Sequence, residues 1–194
     1  MKKSGRISKK EYYINIAEEV SKRSTCLSTN FGCIIVRDDQ IISTGYNGAP
    51  RGTKDCTEIG VCLRRMMKVP SGTKYELCRS VHAEQNAIVN AARAGVSLLG
   101  GDMYLFGRKI LEKSNQLVNA YPCFICKKMI LNAGIKNVIG NDENGGTVCY
   151  SVGDWVAEWA KNDMIADTQK YSANYKNNDD GEQSSCSCGN VRCR

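Results

Sequence analysis

Four residues of this chain have types and spacing suited to chemistry: His82, Glu84, Cys123 and Cys126. His82 is the only histidine, and Glu84 follows it closely in "VHAEQNAI". Cys123 and Cys126 stand three apart in "YPCFICKK". A catalytic zinc takes three protein ligands and keeps a water in its fourth tetrahedral position. Imidazole is the commonest metal ligand. A spacing of three on a helix places both sulfurs on one face, and the free N–H groups of a helix's first turn favour thiolate over thiol. His82, Cys123 and Cys126 could therefore hold zinc, which makes hydroxide available near neutral pH. Glu84 would not be a ligand. It would take the water's proton and return it later. Taken singly, each part has a blander reading. Cys-x-x-Cys also suits a redox pair, and Glu84 suits the positive end of a helix.

The elements that must position these residues are legible in outline. "HAEQNAIVNAARAG" has helical periodicity and stops at Gly95, a natural C-terminal residue. "PCFICKKMILNAG" reads as a second helix, with Pro122 at its first position. "SKKEYYINIAEEVSKRS" begins with a capping-box pattern at Ser8 and Glu11 and continues as an amphipathic helix. "GCIIVRDDQIISTGYN" reads as two strands joined by a polar turn. "GDMYLFG" and "IKNVIG" read as further strands, and "SVGDWVAEWAKND" as the last helix. Residues 50–80 read as irregular. Strands alternating with helices predict an α/β layer fold. The domain is expected over 1–168, with a polar, cysteine-containing, disordered tail over 169–194.

Composition bounds the rest. The length of 194 residues suits one domain with a real core. No apolar run is long enough to span a bilayer. The N-terminus lacks the apolar stretch of a signal peptide, so a cytoplasmic protein is expected. Eleven cysteines then point to metal rather than to a disulfide framework, and an odd count cannot pair completely. A formal net charge of +7 suits an anionic ligand such as a nucleotide, and no Lys/Arg block marks a nucleic-acid-binding tail.

The set His-x-Glu with Pro-Cys-x-x-Cys resembles the signature of the zinc nucleobase deaminases. In these enzymes hydroxide attacks the ring carbon bearing the exocyclic amine. More narrowly, the chain resembles the deoxycytidylate (dCMP) deaminase family within the cytidine deaminase superfamily, in its ComE operon protein 2-like bacterial branch. The matching stretches include "RSTC" (23–26), "GCIIV" (32–36), "STGYNGAPRG" (43–52), "CRSVHAEQNAI" (78–88), "PCFIC" (122–126) and "NAGIKNVI" (132–139).

That resemblance implies a three-layer α/β/α sandwich around a mixed five-stranded sheet, usually assembled as a hexamer. It implies hydrolysis of dCMP to dUMP and ammonia for thymidylate synthesis, with activation by dCTP·Mg²⁺ and inhibition by dTTP. It places Asn47 and the Ala83 backbone against the substrate. A left-handed turn beside Gly48 is the alternative role for Asn47. Arg23 and Ser24 become candidates for the 5′-phosphate, with a surface role open for Arg23. Arg51 and Arg93 are effector-site candidates at a subunit interface. Cys26, Cys56, Cys62 and Cys78 could form a closed structural zinc site, with free thiols as the alternative. The stretch 107–120 exceeds the family's usual connection and could form a hairpin flap beside the pocket. Two other readings stay open: a deaminase for another pyrimidine nucleotide or nucleic-acid base, and a catalytically silent zinc-binding nucleotide sensor.

Overall fold

The computed structural model describes residues 5–70, 73–111 and 114–162. The tail expected over 169–194 lies outside the described residues, and so do Cys186, Cys188 and Cys193.

Helix α1 (Lys9–Ser21) starts where the Ser8 hydroxyl accepts the N–H of Glu11. Strands β1 (Thr29–Arg37) and β2 (Gln40–Tyr46) form an antiparallel hairpin. Asp38 and Asp39 turn it, both at positive φ (51° and 62°). Two consecutive left-handed residues match the twist of a hairpin, and Asp tolerates that region better than most side chains. The stretch expected to be irregular holds two single-turn helices, α2 (Cys56–Ile59) and α3 (Leu63–Met66), and a 3-10 turn at Tyr75–Leu77.

Helix α4 (Ala83–Arg93) leads to β3 (Asp102–Lys109). Strand β4 (Gln116–Leu117), helix α5 (Phe124–Asn132), strands β5 (Asn137–Asn141) and β6 (Thr147–Ser151) and helix α6 (Val152–Asn162) follow. The sheet order is β2-β1-β3-β5-β6. Only the β3–β5 pair is parallel along this path, so the sheet is mixed. The path has five strands, the number the resemblance implies. The longer connection adds a sixth, β4, which pairs antiparallel with the end of β3 that β5 does not reach. Strand β6 was not expected from the sequence.

Period-2 alternation divides the core between two faces. Ile34, Val36, Tyr104, Phe106 and Ile139 pack under Tyr13, Ile14 and Ala17 of α1. Cys33, Ile35, Met103, Leu105 and Val138 pack under Ala83, Ala87 and Ala91 of α4, Ile130 of α5 and Trp155 of α6. Strands covered on both faces read as near-continuous apolar runs, as "GCIIV" does. The result is an α/β/α sandwich. Gly45 sets the depth of α4, because a Cβ there would overlap the backbone of Ala83 and Ala87.

Candidate active site

Two helix N-termini meet at the site. His82 is the N-cap of α4 and Cys123 the N-cap of α5, both with extended backbone. Pro122 therefore precedes the cap and is not the first helical residue, contrary to expectation. With Cys123 in the extended cap conformation, Cys126 falls in the first turn, and its N–H lowers the pKa of the Cys123 thiol.

The α4 terminus is tied to β2 by side chains. Ser43 Oγ donates to the Ala87 carbonyl (2.6 Å), Asn86 Nδ2 to Tyr46 O and Asn90 Nδ2 to Thr44 O (2.7 Å each). The loop after β2 joins in through reciprocal backbone bonds between Gly48 and Val81. "GYNG" thus backs directly onto the residue before His82. The His82 N–H itself donates to Gln85 Oε1 (3.0 Å), a capping contact.

The Nδ1 atom of His82 lies 3.4 Å from the sulfur of Cys123 and 3.4 Å from that of Cys126. Tetrahedral zinc, with bonds of about 2.3 Å to sulfur and 2.0–2.1 Å to nitrogen, sets S···N edges of roughly 3.5 Å. The three side chains fit that ion. Among the described residues, theirs are the His, Cys, Asp or Glu donors that gather three within 4.8 Å of one another.

Electrostatics divide the two thiols. A hydrogen bond from Cys126, and then the bond and charge of His82, pull the Cys123 thiol well below its ordinary value against the effect of burial. Cys126 moves the other way, because its hydrogen bond to Cys123, its burial and the nearby Glu84 all favour its proton. Burial alone would lower the His82 pKa. The bond to Cys123 and the charges of Glu84 and Cys123 together carry it above the ordinary imidazole value. Glu84 is 5 % exposed. Burial raises its pKa, opposed by the His82 charge. A carboxyl raised in this way, in contact with Cys126, suits proton transfer.

The remaining candidates fall into three groups. Ala83 is fully buried at the first position of α4. Asn47 is buried in the loop after β2, but not in a left-handed turn. Its Oδ1 accepts the N–H of Phe31 and its Nδ2 donates to the carbonyl of Thr29, both at 2.8 Å. Arg23 is exposed and Ser24 half-buried just past α1, and the Thr25 N–H donates to the Asn47 carbonyl. Thr25 Oγ1 is buried without a hydrogen-bond partner among the described residues. Arg51 donates to Asn90 Oδ1 (2.6 Å), and Arg93 is exposed in the last turn of α4.

Cys26, Cys56, Cys62 and Cys78 lie on neighbouring segments, and none is in a disulfide among the described residues. Burial and then the charges of the other three cysteines raise the Cys56 pKa; burial raises that of Cys26 too, and the charges of Cys78 and Cys62 add to it less strongly. The Ser28 N–H donates to Cys26 Sγ (3.4 Å). The Ser80 hydroxyl lies near Cys56 and opposes the rise of its pKa. Donors aimed at sulfur favour thiolate, the form that binds metal. No three of these sulfurs gather as closely as the His82 set. Cys33 is buried in β1, and Cys149 is exposed on β6.

Residues 7–141 match the family described as "Cytidine and deoxycytidylate deaminase zinc-binding region". Over 128 residues the chain is 34% identical to deoxycytidylate deaminase of Schizosaccharomyces pombe, covering 66% of this chain and 35% of that protein. It is 33% identical to deoxycytidylate deaminase of Mycobacterium phage D29 over 134 residues, covering 66% and 91%. It is 35% identical to ComE operon protein 2 of Bacillus subtilis over 133 residues, covering 69% and 59%. The chain thus matches about a third of the yeast protein's length and nearly all of the phage protein's. Among solved structures, dCMP deaminase from the cyanophage S-TIM5, in complex with dCMP and dUMP, superposes with a TM-score of 0.50 at 26% identity, covering 71% of this chain and 85% of that one.

Proposed function

Because the chain belongs to the cytidine and deoxycytidylate deaminase family, we propose that it is a zinc-dependent aminohydrolase converting dCMP and water to dUMP and ammonia. The observation that carries this reading is the His82–Cys123–Cys126 triangle with the buried Glu84 carboxyl beside it. Zinc held there by His82, Cys123 and Cys126 would make hydroxide available near neutral pH. Glu84 would carry the water's two protons in turn, the first to the ring nitrogen and the second, from the oxygen added to the ring carbon, to the departing amine. The C–N bond to the amine breaks as a C=O bond forms, and ammonia leaves. His82 and the two sulfurs orient the ion, and α4 holds Glu84 rigidly because Ser43, Asn86 and Asn90 pin that helix to β2.

The nucleotide lies over the N-terminus of α4, with the Ala83 backbone on the pyrimidine edge. Arg23 and Ser24 take the 5′-phosphate. Asn47 contacts the sugar or the base while bracing β1. Support for a nucleotide substrate comes from the cyanophage relative, whose structure was solved with dCMP and dUMP. A second, structural zinc takes Cys26, Cys56, Cys62 and Cys78. Its support is their mutual electrostatic contact and the hydroxyl of Ser80 near Cys56. Assembly as a homo-hexamer, with dCTP·Mg²⁺ acting near Arg51 and Arg93, completes the proposal.

Ammonia release from zinc-replete protein tests it. The substrates are dCMP with dCTP·Mg²⁺, deoxycytidine, CMP and single-stranded DNA. Release from dCMP alone is expected. Release only from another substrate would leave the zinc chemistry standing and replace the substrate. No release from any of them, with zinc bound, would favour a nucleotide sensor.

A further inference from the structure

Cys123 is reached through a short segment held at both ends. Upstream, the Ala120 N–H donates to the Asn141 carbonyl of β5 (2.8 Å), and Gly140 has no room for a Cβ against the Ala120 carbonyl. Pro122 is fully buried, and its ring sets its φ. Downstream, the Lys127 N–H donates to the Cys123 carbonyl (2.9 Å) as α5 begins. Between these anchors stands Tyr121, whose side is open to solvent at 38% exposure.

The Lys127 side chain turns back onto this segment. Its ammonium lies 4.6 Å from the centre of the Tyr121 ring and 5.2 Å from that of Trp155 on α6, both cation–π distances. The two rings meet edge to face, 6.0 Å apart at 86°, and Tyr150 of β6 packs against Tyr121 at 4.6 Å. Lysine is seldom buried, because taking a charge out of water is costly unless something compensates it. Lys127 is only 4% exposed. A cation–π contact strengthens on desolvation, so the rings hold this ammonium more firmly than they would at the surface. A side chain in the first turns of a helix that grips a residue ahead of the cap fixes the angle at which the chain enters. The residue gripped here stands two positions before Cys123. The second ring comes from α6, which lies beyond residues 7–141, the part that matches the family.

We propose that Lys127, gripped between Tyr121 and Trp155, is a positioning residue for the metal centre: through Tyr121 it sets where Cys123 presents its sulfur, and so ties zinc affinity to the β6–α6 layer. Lys127 is not a ligand and acts through Tyr121. The inference rests on the reading of His82, Cys123 and Cys126 as a zinc site.

The test measures zinc affinity by competition with a chelator, and Tm, for the wild type, Lys127→Met, Lys127→Arg, Tyr121→Leu, Trp155→Leu and the double variant Lys127→Met/Tyr121→Leu. Cys123→Ala marks which ion belongs to this centre. Groups that orient metal ligands typically contribute about 10- to 100-fold in affinity. Lys127→Met keeps the length of the side chain and removes its charge, so it is expected to weaken zinc within that range. The visible spectrum of the cobalt-loaded protein should change with it, which a general loss of stability would not bring about. Lys127→Arg keeps the cation and should retain most of the affinity. Tyr121→Leu and Trp155→Leu should weaken zinc as well, and the double variant should add little to Lys127→Met. Wild-type zinc affinity and cobalt spectrum in Lys127→Met would overturn the inference, whatever its Tm, and leave the deaminase reading intact. Should Lys127→Met fail to fold, the same result in Tyr121→Leu would overturn it, since that half-open ring can be replaced without emptying the core. Wild-type protein that neither binds zinc at this centre nor releases ammonia would overturn both.

Discussion

The Nδ1 atom of His82 stands 3.4 Å from the sulfur of Cys123, although 41 positions of chain separate the two residues. Each caps a different helix, and the sheet brings the two helix starts together. The site therefore depends on the packing of α4 against α5, and not on either helix alone.

Metal content should report both sites. Protein purified with excess zinc is expected to hold two ions per chain by mass spectrometry of the metal. Cys123→Ala should lose one ion along with all ammonia release. Cys62→Ser should lose the other and lower Tm, since a structural metal contributes folding energy directly. A wild type holding one ion would leave Cys26, Cys56, Cys62 and Cys78 as free thiols.

Replacing Glu84 by Gln keeps the shape of the side chain and removes its proton chemistry. The expected loss in kcat is roughly 10²- to 10⁴-fold, the usual contribution of a positioned acid–base group. Zinc content should not change, because Glu84 is no ligand. Retained activity would remove Glu84 from the mechanism.

Asn47 holds both the N–H of Phe31 and the carbonyl of Thr29. Asn47→Ala would leave these backbone groups without their partner. A destabilisation of about 1–3 kcal/mol is expected in urea unfolding, over and above any effect on KM. A change in KM with no change in stability would show that water replaces the amide without cost.

Tyr13 connects stability to alkaline pH. Burial, then its hydrogen bond to Asp39, and nearby negative charge raise its pKa from 10.0 to about 12. The folded state therefore holds the phenolic proton more tightly than the unfolded chain does. That contribution is complete below pH 10 and is lost as pH rises through about 12. Stability should accordingly fall across this interval. Tyr13→Phe should be less stable at neutral pH and should show a shallower alkaline slope, measured by Tm against pH.

The two core faces were readable in the sequence because strand geometry is local. In "GCIIV" the residues alternate between faces, and Cys33 and Ile35 do part from Ile34 and Val36. The start of α4 was equally readable from His82, Glu84 and the apolar spacing that follows. Strand β6 was not. "TVCYS" is mostly exposed, so the apolar alternation that marks a half-buried strand is missing. The burial of Lys127 carried no signal either, since Trp155, which covers it, lies on a distant helix.

By itself, the sequence determined which atoms were available for chemistry: one imidazole, a cysteine pair spaced for one helix face, and a carboxyl two residues from the histidine. Those relations span one helical turn, and backbone geometry alone sets them. Tertiary structure decided the rest. It placed Pro122 outside the helix, spent the Asn47 amide on β1, and set Trp155 against Lys127. Each of these contacts joins segments that meet only when the sheet and its two helix layers pack. Their distances follow from burying those faces together, which no local spacing encodes.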